Sequence, residues 1–362
     1  ANIKLKPGAQ VPFRQPYHLS KFDQTRLSYL YEEAVAEGKV EEFALGEDPP
    51  AICTPVFIVD KKGSVIGRRV GDFTLFNKVT EDYYYPAPEA DQILMRACGQ
   101  QFHTTMDCVW GFSQLDVDEE TSAILSTITP FGVYKTKKLP EGVKQGPSLF
   151  QHFQNTALGH EVKADGHPLC DIFVDDTHVG DETKEKHFKS LERVLTVARN
   201  YNIQYRFKKC EFFKPKVLLL GFVCSKDGRE ADPKKVEQLR AWPIYKSCAD
   251  INSHLAFCNY LREFFGPQYS EKCVPLRKYT KKGAEFKDYD TDTAAQASRE
   301  WLIAMTIDKV VLVVPDWEAA ARPWESCRPF ELYLDASDVA WSAVLCQRAE
   351  PGGCPRPIGL VN

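Results

Sequence analysis

LCDIFVDD, residues Leu169–Asp176, is an apolar run that ends in two adjacent aspartates, and the rest of the chain makes sense around it. Its composition predicts a buried strand leading straight into Asp175 and Asp176. Two like charges at the mouth of a hydrophobic strand repel one another and resist burial, so a purely structural account has little use for them unless a cation compensates. A second apolar strand, FHTTMD (Phe102–Asp107), closes on a third carboxylate. Carboxylates from neighbouring strands give the oxygen-rich ligand set that Mg2+ prefers. Two ions held there about 4 Å apart could activate a 3′-hydroxyl and steady a pyrophosphate leaving group. The plainer account is that Asp175-Asp176 is a turn and Asp107 a helix cap, and either motif taken alone favours it.

Around these strands, residues 1–19, with Pro7, Pro12 and Pro16, read as an extended arm. Ser20 can cap a helix in which Leu27, Leu30, Tyr31, Ala34 and Val35 recur at helical spacing, ending near Gly38. ICTPVFIVD (Ile52–Asp60) followed by KKG predicts a hairpin, as does TPFGVYKTKKL (Thr129–Leu139) around Gly132. Helices are expected over Glu89–Cys98, Gly146–Leu158 and Lys184–Tyr201, and a single strand containing a Gly over Val217–Ser225. From Asp232-Pro233, a cap and first-turn pair, the character turns helical. Asp250 is read as the cap of the next helix, and a third runs over Thr293–Thr306. FELYLDASDVAWSAVL (Phe330–Leu345) opens a β-rich piece with no room to finish.

A chain of 362 residues is too long for one ordinary core and predicts two to four subdomains. Hydrophobic residues at 43% and charged residues at 27% exclude a disordered chain. The strongest apolar run, Val310–Pro315, falls far short of the roughly 20 residues a membrane span needs, so no membrane partner is expected. A start at Ala1 fits excision from a polyprotein or a piece of a longer chain. The net charge of −4 argues against nucleic acid, but basic residues cluster locally at Lys61-Lys62, Arg68-Arg69 and Lys208-Lys209. A phosphate channel needs local rather than total positive charge, because attraction fades over a Debye length. Twelve scattered cysteines without a CxxC pair read as reduced, buried thiols.

Asp107 and FVDD (Phe173–Asp176), in that order, resemble the first and third catalytic motifs of reverse transcriptases. TPFGVYKTKKLPEGVKQGPSLFQ (Thr129–Gln151) and KKCEFFKPKVLLLGFVCSKDG (Lys208–Gly228) are similar to segments of the gypsy-type (Metaviridae-like) LTR retrotransposon enzymes. DPKKVEQLRAWP (Asp232–Pro243) resembles the start of their thumb, and LYLDASDVAWSAVL (Leu332–Leu345) the opening of the tethered ribonuclease H. The resemblance implies an α+β right-hand polymerase: fingers and palm over 1–231, a helical thumb and connection over 232–325, and a truncated ribonuclease H-like α/β domain over 326–362. It implies an RNA- and DNA-templated DNA polymerase that uses two Mg2+ ions, with Mn2+ as a substitute, on a primed template and dNTPs. Asp107, Asp175 and Asp176 would be the catalytic metal ligands. Phe112 would lie under the incoming sugar, Lys61 and Arg68 would meet the triphosphate, and Gly142 and Pro147 would flank the nascent base pair. Leu220 and Gly221 would grip the primer, and Lys208 or Lys209 would donate a proton to pyrophosphate. A homodimer or larger assembly, and action in a cytoplasmic particle or the nucleus, are compatible with it. Asp335 matches a first ribonuclease H carboxylate, but no complete hydrolase is expected.

The chain also departs from the family. Thr74 in GDFTLFN (Gly71–Asn77) stands where Arg is common, WGFSQ (Trp110–Gln114) replaces S-G-Y-H-Q, and Glu141 takes a site usually held by Phe, or by Gln in retroviruses. A carboxylate there would repel a triphosphate unless it turns away or finds Lys144. These changes and the acidic net charge motivate a rival reading, a co-opted non-catalytic subunit of a larger assembly. The three aspartates oppose it, since a non-catalytic copy has no physical reason to keep clustered charge.

Overall fold

The computed structural model describes residues 1–9, 14–44, 46–47, 53–338 and 340–361. Pro12 of the arm and Ile52 at the start of the first hairpin therefore lie outside the described residues. The chain divides into two compact units, Ala1–Glu89 with Thr105–Val179 and Phe188–Cys210, and Ala90–Thr104 with Gly180–His187 and Glu211–Asn362.

In the first unit Ser20 accepts the Asp23 N–H and opens helix α1 (Lys21–Ala36). Its buried stripe of Leu27, Tyr31 and Ala34 packs on Val40, Val56 and Tyr134, with Leu27, Val40 and Val56 each contributing about 1.5–3 kcal/mol on burial. These last residues belong to strands β1 (Val40–Glu42), β2 (Thr54–Lys61) and, for Tyr134, a later strand of the same sheet. The β2 strand turns through Lys62-Gly63 into β3 (Ser64–Gly71), as the KKG signal predicts, and α2 (Thr74–Val79) follows. Helix α3 (Ala90–Ala97) precedes β4 (Phe102–Asp107); α4 (Glu119–Ile124) leads to the hairpin β5 (Thr127–Thr129) and β6 (Gly132–Thr136). The five-stranded sheet is ordered β1-β6-β5-β2-β3, with β2 and β5 parallel. Ile3, Phe73, Phe76, Leu125, Leu139 and Val143 form a second core against which Phe112 packs.

Helix α5 (Gly146–Leu158) spans its predicted residues. The expected strand over Leu169–Asp176 is instead a tight hairpin, β7 (Asp171–Phe173) and β8 (Asp176–Asp181), with Phe173 opposite Asp176. The two-residue loop Val174-Asp175 carries no Asn-Gly or Gly-X signal, so the aspartate pair alone hints at a turn there. Helix α6 (Lys184–Asn200) and β9 (Glu211–Lys214) follow, and one sheet takes the order β7-β8-β4-β9.

The single strand expected over Val217–Ser225 is likewise a hairpin, β10 (Lys216–Leu219) and β11 (Phe222–Ser225), extended by β12 (Gly228–Ala231). Leu220 and Gly221 both have positive φ, 47° and 78°, the requirement of the mirror-image turn that suits strand twist. Helices α7 (Pro233–Arg240), α8 (Cys248–Tyr260), α9 (Tyr269–Arg277) and α10 (Thr293–Ala304) follow. Asp232 caps α7 as expected. Ser247, not Asp250, caps α8: its side chain accepts the Asp250 N–H, while the Asp250 carboxylate accepts the Lys246 N–H. Pro275 sits inside α9, which masks that helix in the sequence. Short helices α11 (Trp317–Ala321) and α12 (Pro323–Ser326) precede a meander, β13 (Phe330–Ala336), β14 (Trp341–Arg348) and β15 (Pro355–Val361). None of the twelve cysteines forms a disulfide. Among the described residues no helix is long and apolar enough to cross a membrane.

Candidate active site

The three aspartates come together in the first unit. Asp107 ends β4, Asp175 occupies the β7–β8 turn and Asp176 opens β8. The turn is tied to the strand end because the Cys108 N–H donates to the Asp175 carbonyl at 3.0 Å, and the Asp107 carbonyl accepts the Arg206 N–H at 2.8 Å. Electrostatics report the crowding. The Asp176 carboxyl is pushed up to about 6, first by loss of water around it and then by the Asp175 and Asp107 charges, with Lys209 opposing. Much of the Asp176 residue nonetheless stays open to solvent. Burial pushes the Cys108 thiol up to about 12, with Asp175 and Asp107 adding to the effect.

Lys209 Nζ stands 3.3 Å from Asp107 Oδ2 and supplies one compensating charge. Among the described residues no three His, Cys, Asp or Glu side chains are already drawn into a metal-holding group. The donor set still fits a hard divalent cation: two of the three carboxylates are exposed, all are oxygen ligands, and their mutual repulsion is only partly neutralised.

Groups distant in sequence hold the turn. Val174 adopts φ 55°, a left-handed conformation that a β-branched residue resists. Two glutamines of α5 clamp it: Gln151 Oε1 accepts the Val174 N–H at 2.7 Å, and Gln154 Nε2 donates to the Val174 carbonyl at 2.6 Å. Both glutamines are buried, at 2% and 0% exposed. A pair of Gln one helical turn apart on a buried face was the available sequence signal, since buried amides need partners.

Phe112 follows in a short turn of 3-10 helix, Gly111–Gln114, and lies 5.9 Å from the Phe150 ring. A Cβ on Gly146 would stand 3.2 Å from the Phe112 ring, so glycine there lets α5 approach the aromatic side chain closely. Gln114 fixes the segment from the other side, donating to the Val109 and Gln204 carbonyls at 2.7 and 2.9 Å. Gly142 has φ 95°. Its loop is pinned by Asn77, whose Nδ2 donates to the Gly142 carbonyl at 2.8 Å and whose Oδ1 accepts the Lys144 N–H at 2.9 Å. Pro147 is exposed in the first turn of α5. Lys61 ends β2 in solvent, and Arg68 is exposed on β3. Lys208 and Lys209 share one short helical turn, Phe207–Lys209, and of the two Lys209 faces the aspartates.

Leu220 and Gly221 lie in the second unit, in the β10–β11 turn. Tyr260 of α8 donates its hydroxyl to the Leu220 carbonyl at 2.6 Å and stacks on Phe222 at 5.0 Å. A Cβ on Gly221 would sit 2.1 Å from that hydroxyl, so at φ 78° any larger residue there forces a shift. Asp335 is exposed on β13, opposite Ser342.

A family model described as reverse transcriptase (RNA-dependent DNA polymerase) matches residues 59–224. The chain is 28% identical, over 97% of its length, to the retrovirus-related Pol polyprotein of transposon 297 from Drosophila melanogaster, of which it spans 33%. It is 30% identical to that of transposon opus from the same species, over 85% of this chain and 30% of the relative. Against the transposon Tf2-3 polyprotein of Schizosaccharomyces pombe the identity is 29% over 82% of the chain and 21% of the relative. The chain thus spans a third or less of these curated relatives. Among solved structures, the foamy viral protease-reverse transcriptase in complex with dsDNA matches with a TM-score of 0.78 at 20% identity, over 99% of this chain and 70% of that one. The same viral protein with RNA/DNA hybrid matches at 0.75, over 99% and 45%. This likeness shows the fold of a reverse transcriptase polymerase.

Proposed function

Because this chain carries a reverse transcriptase domain of the kind found in retrotransposon Pol polyproteins, we propose that it copies primed RNA and DNA templates into DNA at Asp107, Asp175 and Asp176. The observation that carries the reading is their convergence, seen in the Cys108–Asp175 backbone bond and in the raised Asp176 carboxyl. Reverse transcriptases generally use divalent metal ions. Here two Mg2+, or Mn2+ in their place, held by these carboxylates would supply the Lewis acidity that activates a primer 3′-hydroxyl and stabilises the departing pyrophosphate.

The protein's own groups do the rest by positioning. Gln151 and Gln154 hold the turn that presents Asp175 and Asp176. Phe112, backed by Gly146, offers a ring edge under the sugar, where a 2′-hydroxyl would clash, so deoxynucleotides are selected. Lys61 and Arg68 meet the triphosphate, Arg68 as a planar fork onto phosphate oxygens. Gly142 and Pro147 line the nascent base pair, and Leu220 and Gly221 hold the primer strand. Lys209, beside Asp107, is the better placed of the two lysines to hand a proton to pyrophosphate. In this reading residues 1–231 act as fingers and palm, 232–325 as thumb and 326–362 as the start of a ribonuclease H-like domain, in a cytoplasmic particle or the nucleus. Template–primer and dNTPs are the partners, and self-association is tested by sedimentation.

The test is primer extension on poly(rA)/oligo(dT) with dTTP and Mg2+. Wild type is expected to extend the primer and Asp175→Asn to lose incorporation with its unfolding transition unchanged. Equal incorporation by the variant would refute the assignment. An inactive wild type found in a fixed stoichiometric assembly would favour the co-opted subunit instead.

A further inference from the structure

Glu141, the acidic residue at the mouth of the Gly142 loop, has a partner, and it is not Lys144. Lys144 Nζ donates instead to the Thr80 carbonyl at 2.8 Å and to Asp82 at 2.7 Å. The Glu141 carboxylate stands 4.0 Å from the Arg68 guanidinium, both side chains open to solvent at 66% and 60%. The placement is built in. Arg69, next along β3, turns its guanidinium over the Tyr31 ring at 4.9 Å, and strand alternation sends Arg68 to the opposite face. A Cβ on Gly142 would lie 3.4 Å from the Phe73 ring and 3.6 Å from the Gly71 carbonyl, so the loop backbone rests on the end of the Arg68 strand. Asn77 pins that backbone through both of its amide atoms. The loop is therefore held while the Glu141 side chain extends from it towards Arg68.

We propose that Glu141 sets nucleotide affinity by holding the Arg68 guanidinium until a triphosphate displaces it. The inference rests on the reading that Arg68 receives the triphosphate. An exposed pair at this distance is weak and is screened by salt, which suits a latch that the more highly charged triphosphate can open. Breaking an exposed pair of this kind changes affinity by about fivefold at most. No covalent step is altered, so the effect belongs in KM rather than in kcat.

The experiment is steady-state primer extension by the full chain with dTTP, on wild type, Glu141→Gln, Arg68→Ala and the double variant. Glu141→Gln is expected to lower KM about two- to fivefold with kcat changed less than twofold. In the Arg68→Ala background the gain is expected to shrink to less than twofold. An unchanged KM in Glu141→Gln overturns the proposal, as does an equal gain with and without Arg68, which would make Glu141 a simple repulsive charge. Wild type that extends primers while Asp175→Asn does not keeps the polymerase reading standing in either case. Wild type without extension would remove that reading and the latch with it.

Discussion

Replacing Gln154 by Met tests whether the α5 clamp is what holds the turn that presents Asp175 and Asp176. Gln154 is fully buried and its amide donates at 2.6 Å to the carbonyl of Val174, a valine at φ 55°. Met keeps the length of the side chain and removes the donor, leaving a buried carbonyl short of a partner at a cost of about 1–3 kcal/mol. The left-handed valine itself stores about 1–3 kcal/mol, tolerable only while its surroundings over-determine it. Gln154→Met is therefore expected to destabilise the protein by about 2 kcal/mol in urea unfolding. The turn should also relax, moving Asp175 and Asp176 away from Asp107, and a displacement near 1 Å costs about a hundredfold in rate. Adding Val174→Gly, which accepts φ > 0 without strain, should restore about 1 kcal/mol and part of kcat. Gln154→Met with stability within about 0.5 kcal/mol of wild type and full kcat would refute the reasoning, because the strands alone would then define the turn.

Gly221→Ala should destabilise the β10–β11 turn by about 1–3 kcal/mol, since its Cβ meets the Tyr260 hydroxyl at a positive φ; Tyr260→Phe in the same chain should recover part of the loss, measured by denaturant unfolding. Burial, with the nearby Arg299 charge, depresses His254 to about 4 while it stacks on Trp242 and hydrogen-bonds Tyr245. Its unfolded form takes up a proton near pH 6.5 and its folded form does not, so stability falls as pH drops from about 6.5 towards 4. Between pH 7 and 5.5 that loss is on the order of 1 kcal/mol, and His254→Gln should abolish it when the two proteins' unfolding curves are compared at both pH values.

Much of the fold was legible because its signals are local. Ser20 followed by an apolar i, i+4, i+7 stripe describes a capped helix wherever it lands, and FHTTMD or Gly146–Leu158 carry their periodicity within a dozen residues. The hairpins at Val174-Asp175 and Leu220-Gly221 look like continuous strands in the sequence because Val and Leu give no local sign of positive φ. Those conformations exist only because distant side chains enforce them, Gln151 and Gln154 in one case and Tyr260 in the other. Ser247 and Asp250 both belong to one capping pattern, and only backbone geometry decides that Ser247 is the cap.

By itself the order of residues determined which side chains are proposed to carry the chemistry: Asp107, Asp175 and Asp176, with Phe112, Arg68 and the Gly142 loop as proposed substrate contacts. Tertiary structure alone decided who their neighbours are. Lys209 lies beside Asp107, Glu141 faces Arg68 while Lys144 turns to Asp82, and two glutamines hold a strained valine. The physical reason is range. Hydrophobic periodicity and capping act within a few residues of chain, whereas an ion pair or a hydrogen bond between groups far apart in sequence forms only after the backbone that carries both has closed.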